Sequence, residues 1–317
     1  MLLGIFYAVA AGMAWGTAFV APLMLPDSPA LLLSLGRYVA FGLIALAAGW
    51  IERDALRQLS RADWLEASKL AAIGNLLYYL CLASAIQYAG APLPTMIIGT
   101  LPVLIAITAN LRNVERDGRL PWSRLLPPLS LILLGIACVN QSELNALRAA
   151  HGDIGRYLLG GVLACVAAAC WTWYPLRNAD WLRAHPDRQP RAWANAQGIV
   201  TLPMGLVGFA LLALASPWLP SAYAAPLGHH PLAYLGVVAM LGIVTSWLGT
   251  LFWNEASPRL PTSLAGQLIV FETLAALGFA YLWRGDPPSL LTQAGIALLI
   301  TGVVWAVRSH QKPATAT

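Results

Sequence analysis

Long apolar stretches separated by short polar breaks run through almost the whole chain. A helix needs about 20 apolar residues to cross the hydrocarbon of a bilayer. Stretches of that kind predict spans at 3–21, 30–50, 68–88, 92–111, 125–142, 156–175, 194–215, 232–253, 261–283 and 290–307. Strict alternation of apolar and polar positions, the mark of a membrane β-barrel, is missing from them. Some breaks are very short. QYAGAPLPT separates spans three and four, and NEASPRLPT separates spans eight and nine. Turns this tight force neighbouring helices to run antiparallel. The pattern predicts an all-α integral membrane protein.

Composition agrees. The 317 residues are 58% hydrophobic and 10% charged, against about 25% charged in a typical soluble domain. The formal charge of +5 does not point to nucleic acid, because the basic residues sit in the breaks between spans. There they act as topology determinants. Of the 19 Lys and Arg, 15 fall in the loops on the side of the N-terminus. Arg148, Arg156 and Arg284 fall on the other side, and Arg37 lies inside span two. This asymmetry fits ten helices with both termini in the cytoplasm. The N-terminal run MLLGIFYAVAAG has no basic residue ahead of it, so it reads as the first span rather than a signal peptide.

The chain also repeats. LPT follows span three at residues 93–95 and span eight at 260–262, an offset of 167. The same offset places span three over span eight and span four over span nine, so the block of spans one to five matches spans six to ten. Five is odd, so the second copy enters the membrane upside down, the inverted-repeat plan of many secondary transporters. The expected halves are residues 1–150 and 151–317, the latter with a short cytoplasmic tail.

Catalytic and cofactor signals are missing. There is no Walker loop, no dinucleotide-binding glycine motif in a strand–helix setting and no Gly-x-Ser-x-Gly. Cys81, Cys138, Cys165 and Cys170 have no metal or redox spacing and read as small buried packing residues. All five histidines fall in predicted loops or the tail. The expectation is no enzyme, no metal, no cofactor and no ATP-driven step.

Particular segments then suggest a family. Span one carries GMAWGTAFVAP, with Gly12, Trp15 and Gly16; span two carries Arg37 in SLGRYVAFGL; span four carries Pro102-Val103 in GTLPVLIAI. In these segments, and over roughly residues 3–307, the chain resembles the drug/metabolite transporter superfamily in its ten-helix EamA-like branch. It looks closest to bacterial exporters of aromatic amino acids. The resemblance implies export of small metabolites across the bacterial inner membrane. The family often has a proline in span nine matching Pro102, where this chain has Ile269, and Glu272 lies well inside that span.

Polar side chains inside a bilayer are costly and usually face protein or a wet cavity. Arg37, Asn75, Gln267 and Glu272 are therefore the first candidates. Glu272 would bind a substrate amine, carry a proton, or pair structurally with Arg37. Arg37 would bind a carboxylate, or serve structure by sending its long side chain toward water. Aromatics at helical spacing join them. Trp15 and Phe19 are four apart, as are Asn75 and Tyr79. Tyr78, Trp171 and Tyr174 complete the expected substrate-binding set, while Trp50, Trp218, Trp253 and Trp283 read as interface belt residues. Pro102 would kink span four, for gating or for static packing.

The leading expectation is a secondary exporter of aromatic and other apolar amino acids, working by alternating access. Its partners would be the small-molecule substrate and the lipid bilayer, with the chain acting as a monomer. An exporter of cationic drugs or other metabolites is the alternative within the same class. A non-transporting scaffold or an intramembrane enzyme is the alternative outside it.

Overall fold

A computed structural model of the chain describes residues 1–25, 27–89, 92–112, 121–147, 154–223, 227, 230–285 and 287–311, and every regular element among them is helical. Eight helical runs are long and apolar enough to cross a membrane. They are α1 (Leu2–Phe19), α2 (Ala30–Ile51), α3 (Arg61–Ala89), α6 (Ile154–Ala184), α7 (Pro190–Trp218), α8 (Pro231–Arg259), α9 (Thr262–Trp283) and α10 (Leu290–Ser309). The two remaining predicted spans fall on α4 and α5. α4 is a pair of short helices, Pro92–Gly99 and Leu101–Leu111, meeting at Thr100, and α5 is Trp122–Leu147. Large apolar side chains such as Phe6, Leu43, Leu158, Leu214 and Leu232 are exposed on the outside. In water such a surface is a liability, and in a bilayer it is the solvent-facing surface.

Helix ends differ most from expectation around α6 and α7. Residues 176–193 read as a loop, but α6 continues to Ala184 and α7 begins at Pro190. The extension carries charges that are paired: Arg177 binds Glu66, and Asp180 meets Arg112 at 3.2 Å. Ser60 and Asp63 form a reciprocal capping box at the start of α3, which fixes where that helix leaves the loop.

α2 packs on α7, α5 on α10, α3 on α6, α1 on both α8 and α9, and α4 on α6 and α9. Exchanging each helix for the one five places along the chain leaves these principal pairings unchanged. Small residues permit the close approaches. A Cβ added at Gly16 would lie 2.5 Å from Ala275 Cβ on α9, and one at Gly12 would lie 2.9 Å from the Glu272 backbone nitrogen. At the α2–α7 contact, a Cβ added at Gly198 would collide with that of Ala45. Such stripes replace the hydrophobic effect, which lipid cannot supply, with direct backbone packing.

Two irregularities recur in corresponding helices. α3 contains a π-turn at Ala71–Leu77 and α8 one at Leu241–Leu248. Each begins ten residues after its helix starts, at Arg61 and at Pro231. α4 breaks at Thr100, and α9 breaks at Ile269 between Thr262–Leu268 and Val270–Arg284. The break in α9 needs no proline: tight i→i−3 bonds, Ile269 N–H to Gly266 O (3.2 Å) and Glu272 N–H to Ile269 O (2.9 Å), replace the regular ladder.

Cys81 and Cys170 are buried as expected. Cys165 is not: it is exposed on α6, among apolar residues that include Leu158 and Val162. A thiol is apolar enough to face lipid as well as protein.

Candidate functional site

α1, α2, α3, α6, α8 and α9 converge on one central cavity lined by Trp15, Arg37, Tyr38, Asn75, Tyr78, Trp171, Thr245, Ser246, Thr250, Glu272 and Ala18. It leaves about 10 Å³ open to the centre of a water molecule, room for roughly one water. The site is therefore narrow.

Arg37 projects from the middle of α2. Its Nε donates to Ser246 Oγ on α8 at 2.8 Å. The guanidinium lies over the Tyr79 ring at 4.4 Å and beside that of Tyr38 at 5.2 Å. The expected reach toward water does not occur: Arg37 is 6% exposed, because Ser246 and the two rings hold its head in the interior. Its Nη1 is buried and has no hydrogen-bond partner.

Glu272 lies in the first turn of the second half of α9, so the break at Ile269 places a carboxylate at a helix N-terminus. It is 5% exposed, and its Oε2 is buried without a partner. Arg37 and Trp171 both act electrostatically on this carboxylate. Neither Arg37 Nη1 nor Trp171 Nε1 completes a hydrogen bond of normal geometry. Asn75 Nδ2 is in the same position. One small cavity thus carries three unmatched donors and one unmatched acceptor. Buried groups of this kind ordinarily find partners, and a cluster of exceptions calls for an explanation.

The aromatic wall is continuous. Tyr78 stacks on Trp171 with centroids 4.7 Å apart, and Trp171 stacks on Tyr174 at 5.1 Å. Trp15 meets Trp171 edge-on at 5.0 Å and Trp253 at 5.3 Å. Trp253, expected in the interface belt, is 2% exposed and belongs to this inner cluster. Trp50 and Trp218 stay exposed at 73% and 83%, as belt residues should.

Six of the ten sequence candidates line the cavity: Trp15, Arg37, Asn75, Tyr78, Trp171 and Glu272. The other four do not. Tyr79 lies behind Arg37, with its hydroxyl buried and unpartnered. Tyr174 turns its hydroxyl to Gln197 Oε1 at 2.8 Å. Gln267 is fully buried and donates to Ser263 O at 3.1 Å. Pro102 is buried at the start of the second half of α4. Asn75 lines the cavity and Tyr79 does not; Tyr78, one position earlier on α3, lines it instead. Sequence reasoning missed Tyr38, Thr245, Ser246 and Thr250. Three hydroxyl residues within six positions of an otherwise apolar helix were a readable signal.

Below the cavity, toward the basic face, lies a second polar layer. Gln197 Nε2 and Trp193 Nε1 both donate to Asn178 Oδ1, at 3.0 and 2.9 Å, and Asn178 Nδ2 donates to Asn254 Oδ1 at 2.8 Å. Trp181 stacks on Trp193 at 3.5 Å and donates to Asp63 Oδ1 at 3.0 Å. Arg183 reaches Leu260 O at 2.6 Å and also binds Thr262. The end of α6 is thereby tied to α3, α7, α8 and α9. On the other side of the cavity, Thr17 Oγ1 and Thr245 Oγ1 meet at 2.5 Å.

A bundle of apolar helices around a narrow, charged and aromatic cavity is the construction of a small-molecule membrane transporter. Residues 2–141 match the EamA-like transporter family. Over 99% of this chain and 98% of the relative, the sequence is 51% identical to the inner membrane protein YtfF of Escherichia coli (strain K12). A crystal structure of a protein shares the fold, with TM-score 0.72 over 99% of each chain at 20% identity. The chain belongs to the EamA-like transporter family of the drug/metabolite transporter superfamily and is a multi-pass membrane transporter.

Proposed function

We propose that this chain is a secondary exporter of aromatic and other apolar amino acids, working by alternating access in the bacterial inner membrane. It crosses the membrane ten times with both termini cytoplasmic, as two inverted halves, residues 1–150 and 151–317. The exchangeable packing pattern, the paired π-turns in α3 and α8 and the paired breaks in α4 and α9 support this plan. They add to the 15-to-3 charge asymmetry.

The single observation that carries the substrate class is the pairing of Arg37 and Glu272 on one cavity without an ion pair between them. Two opposite charges left unmatched in an aromatic pocket suit a zwitterion. Arg37 takes the substrate carboxylate, Glu272 takes its ammonium, and Trp15, Tyr78 and Trp171 enclose the side chain. Asn75 supplies a further donor to the carboxylate. Tyr79, Tyr174 and Gln267 support this shell from behind, and Pro102 and Ile269 mark the points at which α4 and α9 flex.

The test is flux in proteoliposomes with labelled tryptophan, phenylalanine and alanine beside a cationic dye. The proposal expects saturable amino-acid flux, larger for the aromatic substrates, and no flux of the dye. Dye flux that persists in R37Q would favour the second reading, a cationic cargo held by Glu272 and the aromatic wall alone.

A further inference from the structure

A second cavity lies away from the transport site, between the start of α5 and the end of α10, with a volume of about 610 Å³. Arg124 and Arg308 line it together with Ser123, Thr301, Ile300 and Trp305. Among the described residues no acidic side chain lines it, and neither arginine makes a side-chain hydrogen bond or ion pair. Arg124 lies in the first turn of α5, where the helix dipole adds to its positive charge. Arg308 is exposed near the end of α10. From this charged corner an apolar strip runs along α10, where Ile300, Val304 and Trp305 are each close to half exposed.

We propose that this cavity is a binding site for an anionic phospholipid of the cytoplasmic leaflet. The headgroup phosphate would lie between Arg124 and Arg308 and accept from Ser123, and an acyl chain would lie along Ile300 and Val304. Three features distinguish such a site from a free-anion site. It stands on the side where the positive-inside asymmetry places the cytoplasm. At about 610 Å³ it is far larger than a free phosphate requires. Its charged end is continuous with exposed apolar side chains of one helix, the two-part chemistry of a lipid. Basic pockets between membrane helices on this side suit anionic headgroups. An indole such as that of Trp305 suits the headgroup boundary. Packing of α5 on α10 forms the floor, so a bound lipid would brace this peripheral pair.

The experiment uses the full chain purified in an uncharged detergent. Thermal unfolding is followed with added phosphatidylglycerol, phosphatidylcholine or inorganic phosphate, and retained lipid is counted by native mass spectrometry. Phosphatidylglycerol should raise the midpoint and remain bound, while phosphatidylcholine and phosphate should do neither. R124Q/R308Q should bind phosphatidylglycerol roughly thirtyfold more weakly, and R124K/R308K should retain most of the binding. If the double glutamine variant does not fold, the exposed position alone carries the test as R308Q. An equal shift with phosphatidylcholine, an equal shift with phosphate, or undiminished phosphatidylglycerol binding in the glutamine variant overturns the proposal. Transport measurements do not enter, so failure here leaves the exporter reading where it stood.

Discussion

At the scale of single residues, the cost of burying Arg37 and Glu272 bears on the roles proposed for them. A guanidinium remains charged in any protein environment. Its burial is tolerable only when its donors are matched, yet Arg37 is matched at Nε by Ser246 and left open at Nη1. A bound carboxylate would satisfy that open donor, and a bound ammonium would do the same for Glu272. Hydrogen bonds to charged groups are worth roughly 1.5–3 kcal/mol. R37Q and E272Q should therefore each weaken amino-acid transport by about ten- to a hundredfold. Their substrate dependence should differ. An amino-acid amide, which lacks the carboxylate, should lose little in R37Q and much in E272Q, as competition assays against labelled phenylalanine would register. Equal losses for the amide and the acid in R37Q would sink the assignment of the carboxylate to Arg37. Charged and aromatic residues in an apolar chain stand out in sequence, and Arg37, Glu272, Trp15 and Trp171 were readable for that reason. Tyr79 and Tyr174 were not separable from Tyr78, because exposure to a cavity depends on tilt and helical phase that composition does not encode.

At the scale of helices, the contact of α1 with α9 is set by Gly12 and Gly16. Without side chains there, the α9 backbone approaches closely enough for its break to deliver Glu272 into the cavity. A methyl at Gly16 would meet Ala275 at 2.5 Å. Overpacking of this sort costs about 1–3 kcal/mol. G16A should lower the thermal unfolding midpoint in detergent by several degrees and reduce flux as Glu272 shifts. Gly278, on the same α9, is the control, because a methyl there would meet nothing within 4 Å. G278A should leave both unchanged. A G16A midpoint equal to that of G278A would show that α1 and α9 do not press together here. Helix existence was legible from apolar length alone, but helix shape was not. The π-turns of α3 and α8 have no sequence signature. The extension of α6 to Ala184 was hidden by its charges, which look like loop residues until Arg177 and Asp180 find Glu66 and Arg112.

At the scale of the whole molecule, the proposed halves rest in sequence on a charge asymmetry and one repeated tripeptide, and in the structure on which helices touch. The orientation can be tested directly. In a background without native cysteines, needed because Cys165 is exposed, single cysteines at Ser60 and Gly118 should resist an impermeant thiol reagent in intact cells. One at Ser289 should react; labelling at 60 or 118 would reject the ten-span, N-inside arrangement. With that orientation, the proposed alternating-access exporter would use the polar layer beneath the cavity as its cytoplasmic gate. Its ties between the halves include Asp63 with Trp181 and Glu66 with Arg177, which join α3 to α6, beside Arg112 with Asp180, which joins α4 to α6. Opening toward the cytoplasm must break these contacts, and each is worth only about 0.5–3 kcal/mol net because water replaces it. A change of about 1.4 kcal/mol shifts a two-state population tenfold, so modest weakening should be visible. W181F removes the donor to Asp63 but keeps an aromatic ring against Trp193, and E66Q removes the charge facing Arg177. In the W181F/E66Q double variant, a cysteine replacing the cavity residue Thr250 should react several-fold faster with a thiol reagent applied from the cytoplasmic side of inside-out vesicles. Its reaction from the opposite side should slow, because the gate shifts population between two states. Faster labelling from both sides would mean that the bundle has loosened, and unchanged labelling from both would mean that the α3–α6 contact is not what holds the cavity closed.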